Sequence, residues 1–248
     1  MIKRGRGIGQ GTTYKSLFNV RDVPSRGNAH VIQGIKIPRR FHLLSDLEAT
    51  HFLLRERDPK VLDIRENFPI FDIDWTMEAC ARIGIRHPYQ DGHPFPFTLD
   101  FVLTESANRE VADRVESIKT PADAADNKVR TRLTVEANWC RIRPKVPYAL
   151  IDTSAYVDKQ LLSMLTFMRA WFPRRYEPNT QREARFERVF SAGYERNIPL
   201  QELIQKGAKT MRLPEDLALD MFRFCAWHDW IPVSLKHPLA MNRPVIMR

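Results

Sequence analysis

The spacing of apolar and polar residues divides the chain into a part that mixes helices with strands and a later part that is helical. Residues 1–40 carry no helical period, which predicts an irregular arm with one short strand around residues 30–37. A helix is predicted from Leu43 to about Arg55, because Asp58-Pro59 follows it. Beyond it the pattern predicts two short extended segments, at 61–64 and 68–73, and a helix over 75–84.

The middle of the chain predicts a β-hairpin. The apolar run from Phe95 to Leu103 is typical of a buried strand. The polar residues 104–110 predict a turn, and residues 111–119 predict a second strand. A helix over 122–140 and a strand over 146–152 follow. The order helix, strands, helix, strand indicates an α/β layer arrangement.

After Asp152 the pattern is almost entirely helical. Helices are predicted over 156–171, 180–194, 200–207 and 214–228, and the tail segments 230–235 and 244–247 are expected to pair as strands. A helix, a turn, a helix and a terminal strand pair are typical of a winged-helix module. We therefore place a domain boundary near Ser154, which gives domains of residues 1–154 and 155–248.

Composition adds a basic excess to this picture. Lys and Arg total 39 against 30 Asp and Glu, a formal charge of +9, which favours a polyanion such as nucleic acid. A protein that is merely basic is the alternative. No apolar run approaches the roughly 20 residues that cross a bilayer, and no apolar stretch follows the basic N-terminus, so neither a membrane partner nor a secretory signal is expected. The three cysteines are scattered without a CxxC pair, which fits a cytoplasmic protein.

Four polar residues interrupt apolar patterns and suggest chemistry. Glu48 lies on the first helix between Leu44 and Phe52, Asp100 interrupts a buried strand, Lys119 ends its partner strand, and Glu136 continues the buried face of a helix. A buried carboxylate is costly unless something neutralises it, and converging carboxylates favour a hard divalent cation such as Mg²⁺. An adjacent lysine suits a group that orients a water and stabilises charge on phosphorus.

Each of the four residues also has a structural interpretation. Ser45 and Glu48 match a capping box, in which Glu48 would only satisfy backbone donors at the start of the helix. Asp100 would pair with a buried arginine, Lys119 would lie in solvent at the end of its strand, and Glu136 would lie at the rim of the apolar face. Together, however, an acid on one strand and x-x-Lys at the end of the next have the spacing of restriction-like nucleases. We therefore expect an α/β restriction-endonuclease-like core, with a mixed sheet flanked by helices, followed by a helical, winged-helix-like domain.

Longer motifs give this chain a resemblance to the TnsA family, the endonuclease subunits of heteromeric bacterial transposases. The motifs are Gly5 to Gly11, Asp22 to Ser25, His42 to Glu48, Val61 to Pro69, Ile83 to Pro88 and Thr98 to Phe101, and the similarity covers roughly residues 5–152. The resemblance implies cleavage of the 5′ ends of a transposon, beside a TnsB-type transposase that acts on the 3′ ends. It also implies that a TnsC-type AAA+ ATPase regulator binds the C-terminal domain.

The resemblance assigns roles to the polar residues. Glu48, Asp100, Glu136 and the backbone carbonyl of Ile118 would hold Mg²⁺, with Mn²⁺ as its substitute, and Lys119 would position the attacking water. The family pattern has Gln or an acid two positions before the lysine, where this chain has Ser117, a shorter and weaker ligand. Glu116 is expected on the opposite face of the strand.

Basic residues supply candidate contacts to the DNA backbone, although a solvated charged surface is the alternative for each: Lys3, Arg4, Arg6, Lys128, Arg130 and Arg132. His87 and His93 lack a third ligand for a metal, and His51 is expected to be a packing or surface residue. Two alternative functions stay open. One is a non-catalytic scaffold between transposase, ATPase and DNA, which Ser117 favours, and the other is a stand-alone restriction or repair nuclease.

Overall fold

The chain forms two compact units. The computed structural model describes residues 5–22, 27–107, 110–143 and 146–248, and the chain divides between residues 157 and 158. The sequence predicts this boundary three residues earlier, near Ser154. None of the described helices is both long and apolar enough to cross a bilayer.

The first unit is built on a mixed four-stranded sheet. Its elements are β1 (His30–Gln33), β2 (Arg40–Leu43), α1 (Asp46–Arg57), β3 (Val61–Pro69), α2 (Ile73–Arg82), β4 (Tyr89–Gln90), β5 (His93–Pro94), β6 (Thr98–Ala107), β7 (Glu110–Ile118), α3 (Pro121–Ala125), α4 (Asn127–Arg141) and β8 (Tyr148–Ile151). The sheet has the order β3-β6-β7-β8, in which β8 is parallel to β7 and the other pairs are antiparallel. The predicted mixed sheet flanked by helices is confirmed.

The central hairpin is longer than its apolar pattern indicated. The prediction of a turn over residues 104–110 is wrong, because β6 continues to Ala107 and β7 begins at Glu110. Polar side chains stabilise this extension: Thr104 Oγ1 donates to Asp113 at 2.6 Å, and Arg65 pairs with the same carboxylate at 2.6 Å. The hairpin extends past the apolar core, so hydrophobicity alone marks its end too early.

Other element boundaries also differ from the predictions. Helix α1 begins at Asp46 rather than Leu43, because Leu43 ends β2 and the Ser45 hydroxyl caps the helix. The two extended segments are the single strand β3, which ends at Pro69, and Ile73 already begins α2. The long helix predicted over 122–140 is two helices, since the Asp126 carboxylate accepts from the backbone N–H groups of Lys128 and Val129 and starts α4 afresh.

The sheet carries helices on both faces, and strand alternation decides what each helix meets. Helix α1 packs against β2, β3 and β7, whereas α4 packs against α2 and β8. On β7, Glu116 contacts His51 of α1, and the next residue, Ser117, contacts Glu136 of α4. An apolar core that includes Phe97, Val115 and Val135 lies on the α4 side.

The second unit is helical. It contains α5 (Gln160–Arg169), α6 (Thr180–Ala192), α7 (Leu200–Met211) and α8 (Glu215–Trp227), and α8 packs against the other three. The helix predicted over 156–171 starts only at Gln160, after a 3-10 turn over Ser154–Tyr156. The two tail segments expected to pair meet antiparallel at the single bridge between Val233 and Met247, where the Ser234 N–H also donates to the Ile246 carbonyl at 2.8 Å. The contact is too short for either segment to form a regular strand.

Candidate active site

Asp100 and Lys119 meet at one end of the central hairpin. Phe101 on β6 pairs with Glu116 on β7. Because the two strands are antiparallel, the residue before Phe101, Asp100, lies beside the residue after Glu116, Ser117. The Asp100 carboxylate accepts through Oδ2 from the backbone N–H of Ile118 at 2.6 Å and from Lys119 Nζ at 2.5 Å. Lys119 Nζ also donates to the Ile118 carbonyl at 3.1 Å. The hairpin therefore fixes an acid and a cation against the same stretch of backbone.

Glu48 combines the capping and the chemical interpretations. Its Oε2 accepts from the N–H of Leu44 at 2.8 Å, and its own N–H donates to the Ser45 hydroxyl at 3.2 Å, as in a capping box. Burial raises the pKa of the Glu48 carboxyl from 4.5 to about 7, and the neighbouring Asp100 charge adds to the shift. The cap therefore holds this carboxyl within the electrostatic reach of Asp100.

Glu136 reaches the same region from α4. Its Oε2 accepts from the Ser117 hydroxyl at 2.9 Å, and the residue is only 4 % exposed. Burial raises the pKa of Glu136 from 4.5 to about 7, and Asp100 again contributes. Ser117 thus holds Glu136 in place from the position where the family pattern has an acid or Gln.

Lys119 responds to all three carboxyl groups. Burial acts to lower the pKa of its ammonium group, but Asp100, Glu136 and Glu48 together outweigh burial and raise it. Lys119 is therefore a cation at neutral pH. The structure thus brings together all four residues singled out in the sequence.

The donor set has the chemistry that a hard divalent cation prefers. Three carboxyl groups and the Ile118 carbonyl offer oxygen atoms of the kind that such an ion binds. Burial is the main cause of the raised pKa values of Glu48 and Glu136, and the charge of Asp100 adds to both. In the described residues, no group of three or more His, Cys, Asp or Glu side chains is already arranged around a metal position. Asp100 Oδ1 makes no hydrogen bond to the described residues, so it is available to a ligand.

Tyr148 is a neighbour of this cluster that sequence reasoning missed. It lies on β8, and its hydroxyl is buried near the Ser117 hydroxyl. Burial raises the pKa of the phenol, and Glu136 raises it further. A tyrosine in a short apolar strand gave no signal of this position.

A second buried network lies on the other face of β7. Glu116, which is fully buried, accepts from His51 Nε2 at 2.6 Å and from Arg55 through Nε at 2.8 Å and Nη2 at 2.5 Å. Arg114 lies 2.9 Å from the same carboxylate, and His51 Nδ1 is 3.2 Å from the Tyr156 hydroxyl. This network links α1, which carries Glu48, to the strand that leads to Lys119.

The basic residues predicted to meet DNA have different surroundings. Lys3 and Arg4 lie outside the described residues. Arg6 pairs with Asp22 and donates to the Leu17 carbonyl. Lys128, Arg130 and Arg132 are exposed on α4, and the Arg132 guanidinium lies 4.9 Å from the centre of the Phe97 ring. Arg6 is therefore held in place by protein contacts, while the α4 cations face solvent.

The histidine-containing loop is structural. Both ring nitrogens of His87 lie within hydrogen-bond distance of protein atoms, the Thr76 hydroxyl and the Pro88 carbonyl, each at 2.9 Å. His93 is exposed in the β4–β5 ribbon. His87 therefore has no nitrogen left for a metal.

A mixed α/β sheet flanked by helices, with acids and a lysine gathered at one end of its central hairpin, is consistent with the restriction-endonuclease-like class. The chain is similar to the transposition protein TnsA of transposon Tn7 from Escherichia coli. The two are 33 % identical over 160 residues, which cover 64 % of this chain and 56 % of that protein, a little over half its length. No protein-family model matches the chain. The resemblance to TnsA indicated by the motifs is therefore confirmed.

Proposed function

We propose that this chain is a metal-dependent DNA endonuclease, the subunit of a heteromeric transposase that cuts the 5′ ends of the transposon. The observation that carries the proposal is the meeting of Asp100, Lys119, Glu48 and Glu136 in a chain similar to TnsA. Charged groups gathered in a partly buried site favour phosphodiester chemistry, in which charge must be stabilised on phosphate oxygens.

The carboxylates of Glu48, Asp100 and Glu136 and the carbonyl of Ile118 would hold the metal, with Mg²⁺ preferred and Mn²⁺ as its substitute. A bound divalent ion of this kind lowers the pKa of a water and neutralises charge on the phosphate. The side chains keep distinct tasks. Ser117 orients Glu136, and the N–H of Ile118 orients Asp100.

Lys119 would position the attacking water and stabilise the charge that develops on phosphorus. Its ammonium group is fixed by Asp100 and the Ile118 carbonyl, so it needs little reorganisation during the reaction. Backbone support continues behind it, because the Lys119 carbonyl accepts from the Thr153 hydroxyl at 2.6 Å. The lysine is therefore held at both its backbone and its side chain.

DNA would be held by contacts that carry no sequence information. Lys128, Arg130 and Arg132 line the exposed side of α4, the helix that presents Glu136, and Arg6 with Lys3 and Arg4 would extend the contact. Such contacts supply affinity to phosphates. Sequence choice would come from protein partners.

The partners would be a TnsB-type transposase and a TnsC-type AAA+ regulator, the latter bound through the second unit. The succession of α7 and α8, and the antiparallel contact between Val233 and Met247 that follows them, support this proposal. A winged-helix-like role for this unit is thus part of the proposal. The site of action would be the bacterial cytoplasm.

Strand-resolved cleavage tests the proposed function. The chain is mixed with the partner transposase, Mg²⁺ and a transposon-end duplex labelled separately on each strand. We expect a nick at the 5′ end that requires this chain and a divalent metal. Cleavage of the 3′ strand alone would support a scaffold instead, a role favoured by the serine at position 117. Cutting without the transposase would favour a stand-alone nuclease.

Metal binding should depend on pH in a defined direction. Because the pKa values of Glu48 and Glu136 are raised from 4.5 to about 7, their protonated forms stabilise the metal-free protein at low pH, and that stability is lost as the pH rises through about 7. A divalent ion binds the deprotonated forms, so we expect Mg²⁺ to raise the melting temperature more at pH 8 than at pH 6. Thermal melting with and without Mg²⁺ measures this difference.

The Glu48→Gln/Glu136→Gln variant serves as the control for that measurement. It has no carboxyl groups to titrate at these positions, so the Mg²⁺-induced shift should be small and nearly the same at both pH values. A native protein whose Mg²⁺-induced shift is equal at pH 6 and pH 8 would argue against these two groups as ligands.

A further inference from the structure

A small basic cavity lies between the N-terminal segment and the β2 strand of the first unit. Its volume is about 220 Å³. Its walls are mostly cationic or polar and include Arg6, Lys15, Asn19, Arg39, Arg40 and His42. The sequence analysis singled out only Arg6 among these residues, and the metal cluster uses none of them.

Arg39 forms the rigid wall of the cavity. Its guanidinium makes a two-pronged contact with the buried Glu66, at 3.0 Å and 2.6 Å, and donates to the Ile64 carbonyl at 2.7 Å. It also lies 3.7 Å from the centre of the Phe41 ring. These contacts hold the cation without rotamer freedom, which is the condition for a preorganised anion site.

Two nitrogens in this wall have no partner. Arg39 Nε and His42 Nδ1 are buried and make no hydrogen bond within the described part of the chain. A buried polar group without a partner costs roughly 1–3 kcal/mol. Both residues line the cavity, so an anion bound there would bring an acceptor to this wall.

The charge of the cavity is positive after its ion pairs are considered. Glu66 pairs with Arg39 and Asp22 with Arg6, whereas Lys15 and Arg40 are exposed and make no ion pair with the described residues. Burial lowers the pKa of the His42 imidazole, and Arg39, Arg6 and Arg40 lower it further against the opposing charge of Asp22. Several cations therefore act on one small space, and carboxylates balance only part of their charge.

We propose that this cavity binds a backbone phosphate of the DNA next to the strand that is cut. The choice of DNA as the source of the phosphate rests on the proposed function. Planar guanidinium groups and lysine are the side chains that best match phosphate oxygens. The cavity is also connected to the active site, since β2 carries Arg40 and His42 and leads directly to Leu44, whose N–H holds Glu48.

The test compares DNA binding by the full-length chain and its variants. Lys15→Gln/Arg40→Gln removes the two exposed, unpaired cations, and Lys60→Gln/Arg82→Gln removes two exposed cations away from the cavity. Affinity for a fluorescent duplex is measured by anisotropy at several KCl concentrations, with EDTA present so that no cleavage occurs. Each phosphate contact contributes about 0.9 to the slope of log affinity against log salt.

We expect the cavity variant to lose about 1–2 from that slope and at least roughly tenfold in affinity at low salt. The control variant should keep nearly the native slope and the native affinity, and Arg40→Lys should retain most of the slope. Equal effects of the cavity and control variants would overturn the proposal, as would a native chain that does not bind duplex DNA. Inorganic phosphate is the second probe. Phosphate that stabilises the native chain through Lys15 and Arg40, with an unchanged DNA slope, would mean a free-phosphate site and would also overturn it.

These outcomes separate the cavity from the nuclease. If the native chain nicks DNA and the cavity variant binds DNA as tightly as the native chain, the cavity proposal is wrong and the proposed function stands. If DNA binding depends on the cavity but the native chain never nicks DNA, the cavity proposal stands and the proposed nuclease function is wrong.

Discussion

Replacing Lys119 with methionine is expected to reduce strand cleavage by a factor of roughly 10²–10³, while Mg²⁺ still binds. Methionine keeps much of the length of the side chain but removes the ammonium group that lies 2.5 Å from Asp100. The reaction would lose its preorganised cation. The ligand carboxylates would remain and would attract a metal at least as strongly. Single-turnover cleavage measures the first effect, and the Mg²⁺-induced rise in melting temperature measures the second.

The matched control is Lys60→Met, which changes an exposed lysine in the turn before β3. It should cleave at the native rate. A Lys119→Met protein that cleaves within about twofold of the native rate would contradict the role assigned to the lysine. Loss of cleavage together with loss of Mg²⁺ binding would instead assign Lys119 a structural role.

The second large effect is expected on stability, from Glu116→Ala. The variant leaves His51 buried without its carboxylate partner, removes the partner of Arg114, and leaves Arg55 with only its longer contact to Asp58 at 3.8 Å. Removing one partner of a buried charged network costs about 3–5 kcal/mol, and the lower end applies because the arginines are 23 % and 36 % exposed. A loss of about 3 kcal/mol corresponds to a fall of roughly 6–12 °C in the melting temperature of a unit of this size.

The pH dependence of stability gives this prediction a further check. Burial acts to raise the pKa of Glu116, but the hydrogen bonds and charges of His51 and Arg55 outweigh it and lower the pKa. The stabilisation is therefore complete above the ordinary value of 4.5 and is lost as the pH falls through the lower, folded-state value. Glu116→Ala should have its largest effect near neutral pH and a smaller one in acid.

Glu78→Ala, on the exposed side of α2, is the control and should change the melting temperature little. A Glu116→Ala protein as stable as that control would mean that the network contributes little.

Local patterns predicted the parts of the site that belong to the hairpin. Asp100 within an apolar strand and Lys119 at the end of the next one required only the period of two and an antiparallel turn. Glu48 followed from its place one helical turn from two apolar residues. In each case the expected partners are close in sequence or related by one hairpin, so spacing alone was sufficient.

Contacts between distant segments had no comparable signal. The Glu116 carboxylate meets side chains 61 and 65 residues away, and the Arg39 guanidinium meets Glu66, 27 residues away. Alternation placed Glu116 on the face opposite Ser117 but did not say which helix lies there. A burial pattern shows that a charge is inside without showing what neutralises it.

Polar boundaries account for most of the errors in the elements. The hairpin continues through residues 104–107 because Thr104, Arg65 and Asp113 stabilise it in place of apolar contacts. Asp126 divides the helix predicted over 122–140, since its side chain offers a better start to α4 than continuation from α3 does. The spacing of apolar residues gives no sign of either effect.

The most direct test of the account is strand-resolved cleavage of a transposon end by the native chain and by Asp100→Asn, each with the partner transposase and Mg²⁺. Asparagine keeps the shape of the side chain but removes the charge that faces Lys119 and the proposed metal. Asp91→Asn, in an exposed turn with a positive φ that asparagine tolerates, is the control. We predict that Asp100→Asn loses 5′-strand nicking while the partner's 3′-strand cleavage continues, and that Asp91→Asn behaves as the native chain. Equal 5′-strand nicking by the native chain and Asp100→Asn would contradict the assignment of the nuclease site to this cluster.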